Sequence, residues 1–348
     1  MFAFGAVDRS GSRGERAGVT LLELLLVMGI LALLLGAGLG IFATASNDGA
    51  LIDSVLRSGL RAAQTSAHLE RLPASLRVEG EGSQLVLHTP RVRGTWHLEQ
   101  GFVDGDSAGA PTQPLGFRVG SPPGAPGFLG DGLDFLGKGG DAAFVIPVHD
   151  SGEFDVTDGF AIGIAIHPMD DLDSTIWRLS DVAGLEYERG GRLNAWLVPG
   201  VAEDETGRRR GGRVDLRLPP GSVEFGRWTS VEVIYDRFEF RVLVDGFPVG
   251  ILPLQDALPR LKGPLVVGGK SRPLQGLVDE IVFAVYERGD PLKLPEGSTW
   301  VGAIPTAARF EADGGLDRRL HGRALEWNIT TADGERHSVA VSAYGAIE

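Results

Sequence analysis

Glu23 is the residue whose chemistry is hardest to explain away. It stands one position ahead of residues 24–45, which carry no charge at all, and a carboxylate at bilayer depth costs about 2.5 kcal/mol or more unless a counter-charge meets it. Glu153, Asp155 and Asp158 form a second group, since paired carboxylates do general acid–base work. They fall in the turn leading into a strand that begins at Phe160, where turn chemistry is the better explanation. Arg208-Arg209-Arg210 is flanked by Thr206-Gly207 and Gly211-Gly212 and reads as a solvated loop tip before a contact for an acidic partner. The seven histidines have no paired ligand spacing, and no cysteine is present. Disulfides, thiol catalysis and Cys-based zinc sites are thereby excluded. No glycine-rich loop joins a strand to a helix, so nucleotide binding has no support. With 33 Lys and Arg against 46 Asp and Glu, a net charge of −13, the surface repels phosphate backbones, and nucleic acid is not an expected partner.

The elements that must position these groups begin at the membrane. Residues 24–45 span roughly 33 Å as a helix, the thickness of a hydrocarbon core. Arg9, Arg13 and Arg16 outweigh Asp8 and Glu15 in the leader, which places the amino terminus in the cytoplasm and everything after Ala45 outside. A cleavable secretory signal, cut at Ala43-Thr44-Ala45, is the rival reading. Against it stand the length of the apolar run and the presence of Glu23. Gly36, Gly38 and Gly40 weaken this helix or permit close packing within it.

Beyond Ser46-Asn47-Asp48-Gly49, the apolar residues Leu51, Ile52, Val55, Leu56, Leu60 and Ala63 recur at helical spacing up to Pro73. Short alternating runs predict strands at Leu76-Arg77-Val78-Glu79 and Leu85-Val86-Leu87-His88, with Thr95-Trp96-His97-Leu98 as a third. A Gly/Pro-rich connector over about 104–127 interrupts this sheet. Three further strands are expected near the carboxyl end, around Ala308-Arg309-Phe310, Leu325–Ile329 and Ser338–Val341, with a turn at Ala332-Asp333-Gly334. Between the halves, residues 128–288 alternate as sandwich strands do: Val231, Val233 and Tyr235 share one face, Phe238, Phe240, Val242 and Val244 another, with Asp236-Arg237 as the turn.

Gly18-Val19-Thr20-Leu21-Leu22-Glu23-Leu24-Leu25 resembles the prepilin-type cleavage and methylation motif of type IV pilins and type II secretion pseudopilins. The resemblance implies cleavage after Gly18 by a prepilin peptidase, N-methylation of Val19 by the same peptidase/methyltransferase, and pairing of Glu23 with the new terminus of a neighbouring pilin or pseudopilin subunit. Val19 stands where Phe is commoner. The carboxyl-terminal strands, closing on Gly345-Ala346-Ile347, are similar to the end of H-type minor pseudopilins. Residues 128–288 resemble the laminin G-like, concanavalin A-like jelly roll. That likeness implies a glycan or protein ligand, and it makes Asp131, Asp134 and Asp279 candidate calcium ligands, although Leu136 stands before Gly137 where relatives often carry Asp. Some glycoside hydrolases share the architecture, but the Glu153 group ends in Asp where their acid is Glu.

The expected fold class is therefore mainly β with one long amino-terminal helix: a pilin-like helix plus antiparallel sheet, with an inserted β-sandwich jelly roll. The expected organisation is a leader at 1–18, a transmembrane and assembly helix at 19–45, a head at 46–106, the connector at 107–127, the sandwich at 128–288, a second connector at 289–298 and the rest of the head at 299–348. A non-enzymatic pilin-like subunit of a secretion pseudopilus or type IV pilus is the leading functional expectation, displaying the sandwich as a recognition module. A membrane-anchored adhesin or lectin that binds glycan through the jelly roll is the alternative, and an extracellular hydrolase ranks below both. No cofactor is expected, structural calcium being the one left open. The inner membrane is the expected location, with a single pass and the body in the periplasm until processing releases it into a filament.

Overall fold

The computed structural model describes residues 47–98, 116–120, 122–137, 142–150, 152–200, 202–203, 209–210, 212–269 and 272–348. Gly18, Val19, Glu23 and the apolar segment 24–45 lie outside them. Among the described residues no helix is long and apolar enough to cross a membrane.

The described chain opens with a helix, Asn47–Glu70. Asp48 in its first turn suits the positive end of the helix dipole, and Arg71 in the left-handed region (φ 54°) followed by Pro73 ends it. Ile52, Leu56, Leu60, Ala63 and Ala67 make one buried stripe. It packs on Leu76, Leu85, Ala308, Phe310, Trp327, Ile329, Val339 and Val341. Each fully buried Leu or Ile contributes about 1.5–3 kcal/mol, so this stripe is what fixes the helix to its sheet. The long helix of the expected fold class is described only over these 24 residues.

Strand Ala74–Glu79 pairs with Gln84–Trp96 on one side and with Ala307–Phe310 on the other, Leu76 lying opposite both Leu87 and Ala308. The two ends of the chain therefore complete one sheet. A small separate sheet of Thr299–Trp300, Ala324–Thr330 and Arg336–Ser342 covers the start of the helix.

Two sequence expectations change here. Residues 84–96 form one strand and not two. Pro90 is tolerated because the strand's first neighbour ends at the Ser75↔His88 pair, beyond which only one edge is paired. Within the expected connector, Phe117–Val119 and Gly124–Pro126 are strands that join the sandwich. Three-residue runs beside glycine and proline are too short to show a period.

The body is a β-sandwich of two antiparallel sheets. The first runs Phe247–Pro253, Glu239–Val244, Thr229–Tyr235, Phe160–Pro168 and Gly276–Arg288, then continues into Gln84–Trp96 and the head. The second runs Val214–Arg217, Arg192–Leu197, Ala183–Glu188, Ser174–Leu179, Leu265–Gly268, Ala143–Ile146 and Phe117–Val119. Their inner faces share one core, to which Trp96 and Leu98 also belong. Gly276–Arg288 is thus a bridging strand, paired with Phe160–Pro168 on one edge and Gln84–Trp96 on the other.

A buried charge cluster joins the two halves a second time. Arg309 is fully buried and donates to Asp236 (2.7 and 2.9 Å) and to Asp317, with Glu239 at 3.0 Å and Glu311 at 3.3 Å. Arg241 and Arg319 pair with the same acids, Glu311 lying 3.1 Å from Arg241 and Glu239 lying 2.8 Å from Arg319. Burial alone would lower the Arg309 pKa, but the surrounding carboxylates outweigh it and hold the guanidinium above its ordinary value. Asp236 and Asp317 are held below the usual carboxylate range, because Arg309 prevails over the burial that pushes them up.

Candidate functional site

The pole of the sandwich beyond Trp96 carries an exposed ring, Phe128, beside the half-buried rings of Trp228 and His167. The helix and strand Gln84–Trp96 run in the same direction. Gly59 lies beside Leu76 and Leu292, and the Val92 amide donates to Glu70 at 3.3 Å. Beyond Val92 the sandwich continues past Trp96 to Asp279. Rises of about 1.5 Å per helical residue and 3.3 Å per strand residue put Asp279 roughly 50 Å from Asn47.

The base of this pole is Asp279, which is fully buried. It sits where the register of the bridging strand shifts, between Asp279 and Val282, with Glu280 at φ 50°. The bulge turns its carboxylate toward the turn 127–130. One oxygen accepts the amides of Phe128 (2.9 Å) and Leu129 (3.0 Å), and the other accepts that of Glu280 (2.8 Å). Gly127 makes the contact possible, since a Cβ there would lie 2.6 Å from the Asp279 oxygen. Phe128 and Leu129 are consequently held at the apex, 45% and 60% exposed.

Trp228 and His167 complete the group. The Phe128 and Trp228 rings are 6.1 Å apart and tilted by 55°, and His167 lies 5.3 Å from Trp228 at 53°. The Gly226 amide donates to the Pro168 carbonyl at 2.8 Å and holds the Trp228 loop in place. His167 Nδ1 is buried without a hydrogen-bond partner. The exposed Phe128 ring, tilted against the half-buried Trp228, offers an apolar face on which the C–H face of a sugar ring can stack.

The sequence-predicted acids have other tasks. Asp134 accepts the Leu136 amide at 2.8 Å in a local turn, and Asp279 is engaged as described. Among the described residues the carboxylates that converge within 4.8 Å are Glu239, Glu311 and Asp317, not Asp131, Asp134 and Asp279. That convergent trio already has Arg309, Arg241 and Arg319 as its cations. Asp155 accepts the Thr157 amide at 3.0 Å, and Asp158 pairs with Arg237 at 2.8 Å, as turn residues do. Arg209–Arg210 forms a two-residue strand against Ala202–Glu203. The rings at the pole were not singled out from the sequence. Gly127-Phe128-Leu129-Gly130, an apolar pair inside a glycine turn, was the signal that could have found them.

No family model matches the chain, and no curated protein does. Solved structures do. Domain 4 of an extracellular arabinanase of Geobacillus stearothermophilus, in complex with arabinotriose, is similar over 57% of this chain and 93% of its own, at 14% identity and a TM-score of 0.41. Domains LG4-5 of the mouse laminin alpha1 chain are similar over 64% of this chain and 72% of their own, at 13% identity and a TM-score of 0.34. The binding domain of a botulinum neurotoxin covers 76% of this chain and 72% of its own, at 9% identity and a TM-score of 0.31. The sandwich assignment rests on the strand pairing itself.

Proposed function

We propose that this chain is a non-enzymatic, membrane-anchored recognition protein whose sandwich binds a glycan at the pole formed by Phe128, Trp228 and His167. One observation carries the reading: a fully buried carboxylate, Asp279, holds two exposed apolar side chains in place. Burying a charge is costly unless it is hydrogen-bonded. Using one to present Phe128 and Leu129 to solvent makes sense where the presented surface binds something. The pole also points away from the helix terminus that leads to the anchor. The engagement of Asp155 and Asp158 in a turn and an ion pair supports the non-enzymatic part. Glycan-array binding by the full chain in mild detergent tests the reading. Phe128→Ala and Trp228→Ala are expected to weaken the signal at least tenfold with an unchanged melting temperature, and undiminished binding by both variants would overturn it.

A second reading, incorporation into a pilus or pseudopilus, is favoured by the packing of a helix that follows the apolar segment onto a sheet made by both ends of the chain. It would take a prepilin peptidase and other pilin subunits as partners, with Gly18, Val19 and Glu23 in the roles the motif implies. The two readings are compatible, since a filament would display the pole outward.

A further inference from the structure

The outer face of the second sheet, away from the sandwich core, holds a second polar site. Alternation sends Leu193, Ala195 and Leu197 inward, so Asn194 and Trp196 face out. Asn194 lies opposite Arg217 on one neighbouring strand and Glu186 on the other. It is only 2% exposed. Its amide nitrogen donates to Asp215 at 3.0 Å, with Glu186 at 3.5 Å. Two carboxylates on that side fix the orientation of the amide, because only NH₂ can face both. The Asn194 Oδ1 is consequently left buried with no partner.

Asn194 lines an open cleft of about 550 Å³ whose walls carry four guanidiniums, those of Arg189, Arg213, Arg217 and Arg272, against the carboxylates of Asp173, Glu186 and Glu188. Arg213 is fully engaged, bonded to Asp215 at 2.9 Å and Glu186 at 3.2 Å, and lies 4.6 Å over the Trp196 ring. Burial works against its charge, but these two acids raise its pKa above the ordinary value. Arg217 and Arg272 are different. Their nearest carboxylates lie at 3.6 Å (Glu188) and 3.8 Å (Glu186), too far for a good hydrogen bond, so their donors stay available at the cleft. Trp196 packs closely on Gly184, where a Cβ would come within 2.6 Å of the indole.

We infer that this cleft binds the uronic-acid residue of an acidic polysaccharide, its carboxylate on Arg217 and Arg272 and a ring hydroxyl donating to Asn194 Oδ1. Guanidinium forks match carboxylates in geometry and charge. A bare anion would leave Asn194 Oδ1 unmatched, and a neutral sugar would leave the two arginines with only their loose ion pairs to Glu188 and Glu186. A ligand with a hydroxyl beside a carboxylate satisfies both. The site is independent of the ring cluster at the pole and stands whether or not that cluster binds glycan.

The test is calorimetric titration of the full chain in mild detergent with an oligogalacturonate, an oligoglucuronate and a neutral galactan oligomer of the same length. At least one uronate should bind ten or more times tighter than the neutral oligomer. Arg217→Gln and Arg272→Gln, both at exposed side chains, should each weaken uronate binding about tenfold without moving the melting temperature, and Asn194→Ala should weaken it further. The losses in Arg217→Gln and Arg272→Gln should persist when measured in a Phe128→Ala background, which separates this site from the pole. Absence of binding to both uronates, equal binding of the neutral oligomer in that background, or retention of affinity in both arginine variants would each overturn the proposal.

Discussion

Replacing Arg309 with Met keeps most of the side-chain volume and removes the charge at the centre of the cluster that joins sandwich and head. Asp236 and Asp317, with side chains 5% and 1% exposed, would lose their closest cation, while Glu239 and Glu311 keep Arg241 and Arg319. Breaking a buried pair from one side costs about 3–5 kcal/mol, a large part of the 5–15 kcal/mol typical of a folded protein. The pH dependence carries a sign. In the native chain Asp236 and Asp317 have depressed pKa values, so their contribution is present above the unfolded value of 3.8 and is lost as pH falls. In Arg309→Met the same acids are buried without that cation, their pKa values rise, and acidification relieves the penalty. Urea unfolding followed by tryptophan fluorescence at pH 7.5 and at pH 5 should show a deficit of about 3–5 kcal/mol that narrows at the lower pH. Adding Asp236→Asn should recover part of it. A deficit below about 1 kcal/mol at pH 7.5, the size of an exposed ion pair, or one that widens on acidification, would refute the reasoning.

His88 is buried, and burial, then the nearby Arg77, pushes its pKa down to about 4. Its contribution is present above the unfolded value of 6.5 and lost as pH falls toward 4, a drop of about 3 kcal/mol that His88→Leu should abolish in acid unfolding curves. Because the bridging strand pairs across the expected domain boundary, the intact chain should unfold in a single transition by fluorescence and circular dichroism; two separated transitions would mean that residues 128–288 fold as a unit of their own. Mass spectrometry of the mature chain from a host with a prepilin peptidase should find a methylated Val19 at its amino terminus, and an intact leader would count against the pilus or pseudopilus reading. Glu23→Val should leave that cleavage and the melting temperature unchanged while lowering filament incorporation, and normal incorporation would dispose of the assembly role.

Much of the sandwich could be read from the sequence because its strands alternate cleanly. Val231, Val233 and Tyr235 are buried as their spacing requires, and Asp236 closes the following turn by accepting the amides of Phe238 and Glu239. The pairing of the two chain ends was legible for the same reason, Leu76 and Ala308 both falling on the buried face. What stayed hidden depends on residues far apart in sequence. Arg309 meets Asp236 across 73 positions with no shared period. Trp96 looked like a head residue because nothing local reveals that its strand borders both cores. Asn194 lies in an ordinary alternating strand, and only the two carboxylates brought up by neighbouring strands leave its oxygen without a partner.

The bridging strand also decides how the molecule answers a pull. A tether at the amino end of the helix and a ligand held at the far pole would load the chain along the direction that the helix and strand Gln84–Trp96 share. The bonds between Gln84–Trp96 and Gly276–Arg288 lie across that direction, as they do in any antiparallel pair. Tension therefore shears the whole ladder at once instead of peeling it rung by rung, and this junction should resist extension better than a flexible linker between two beads.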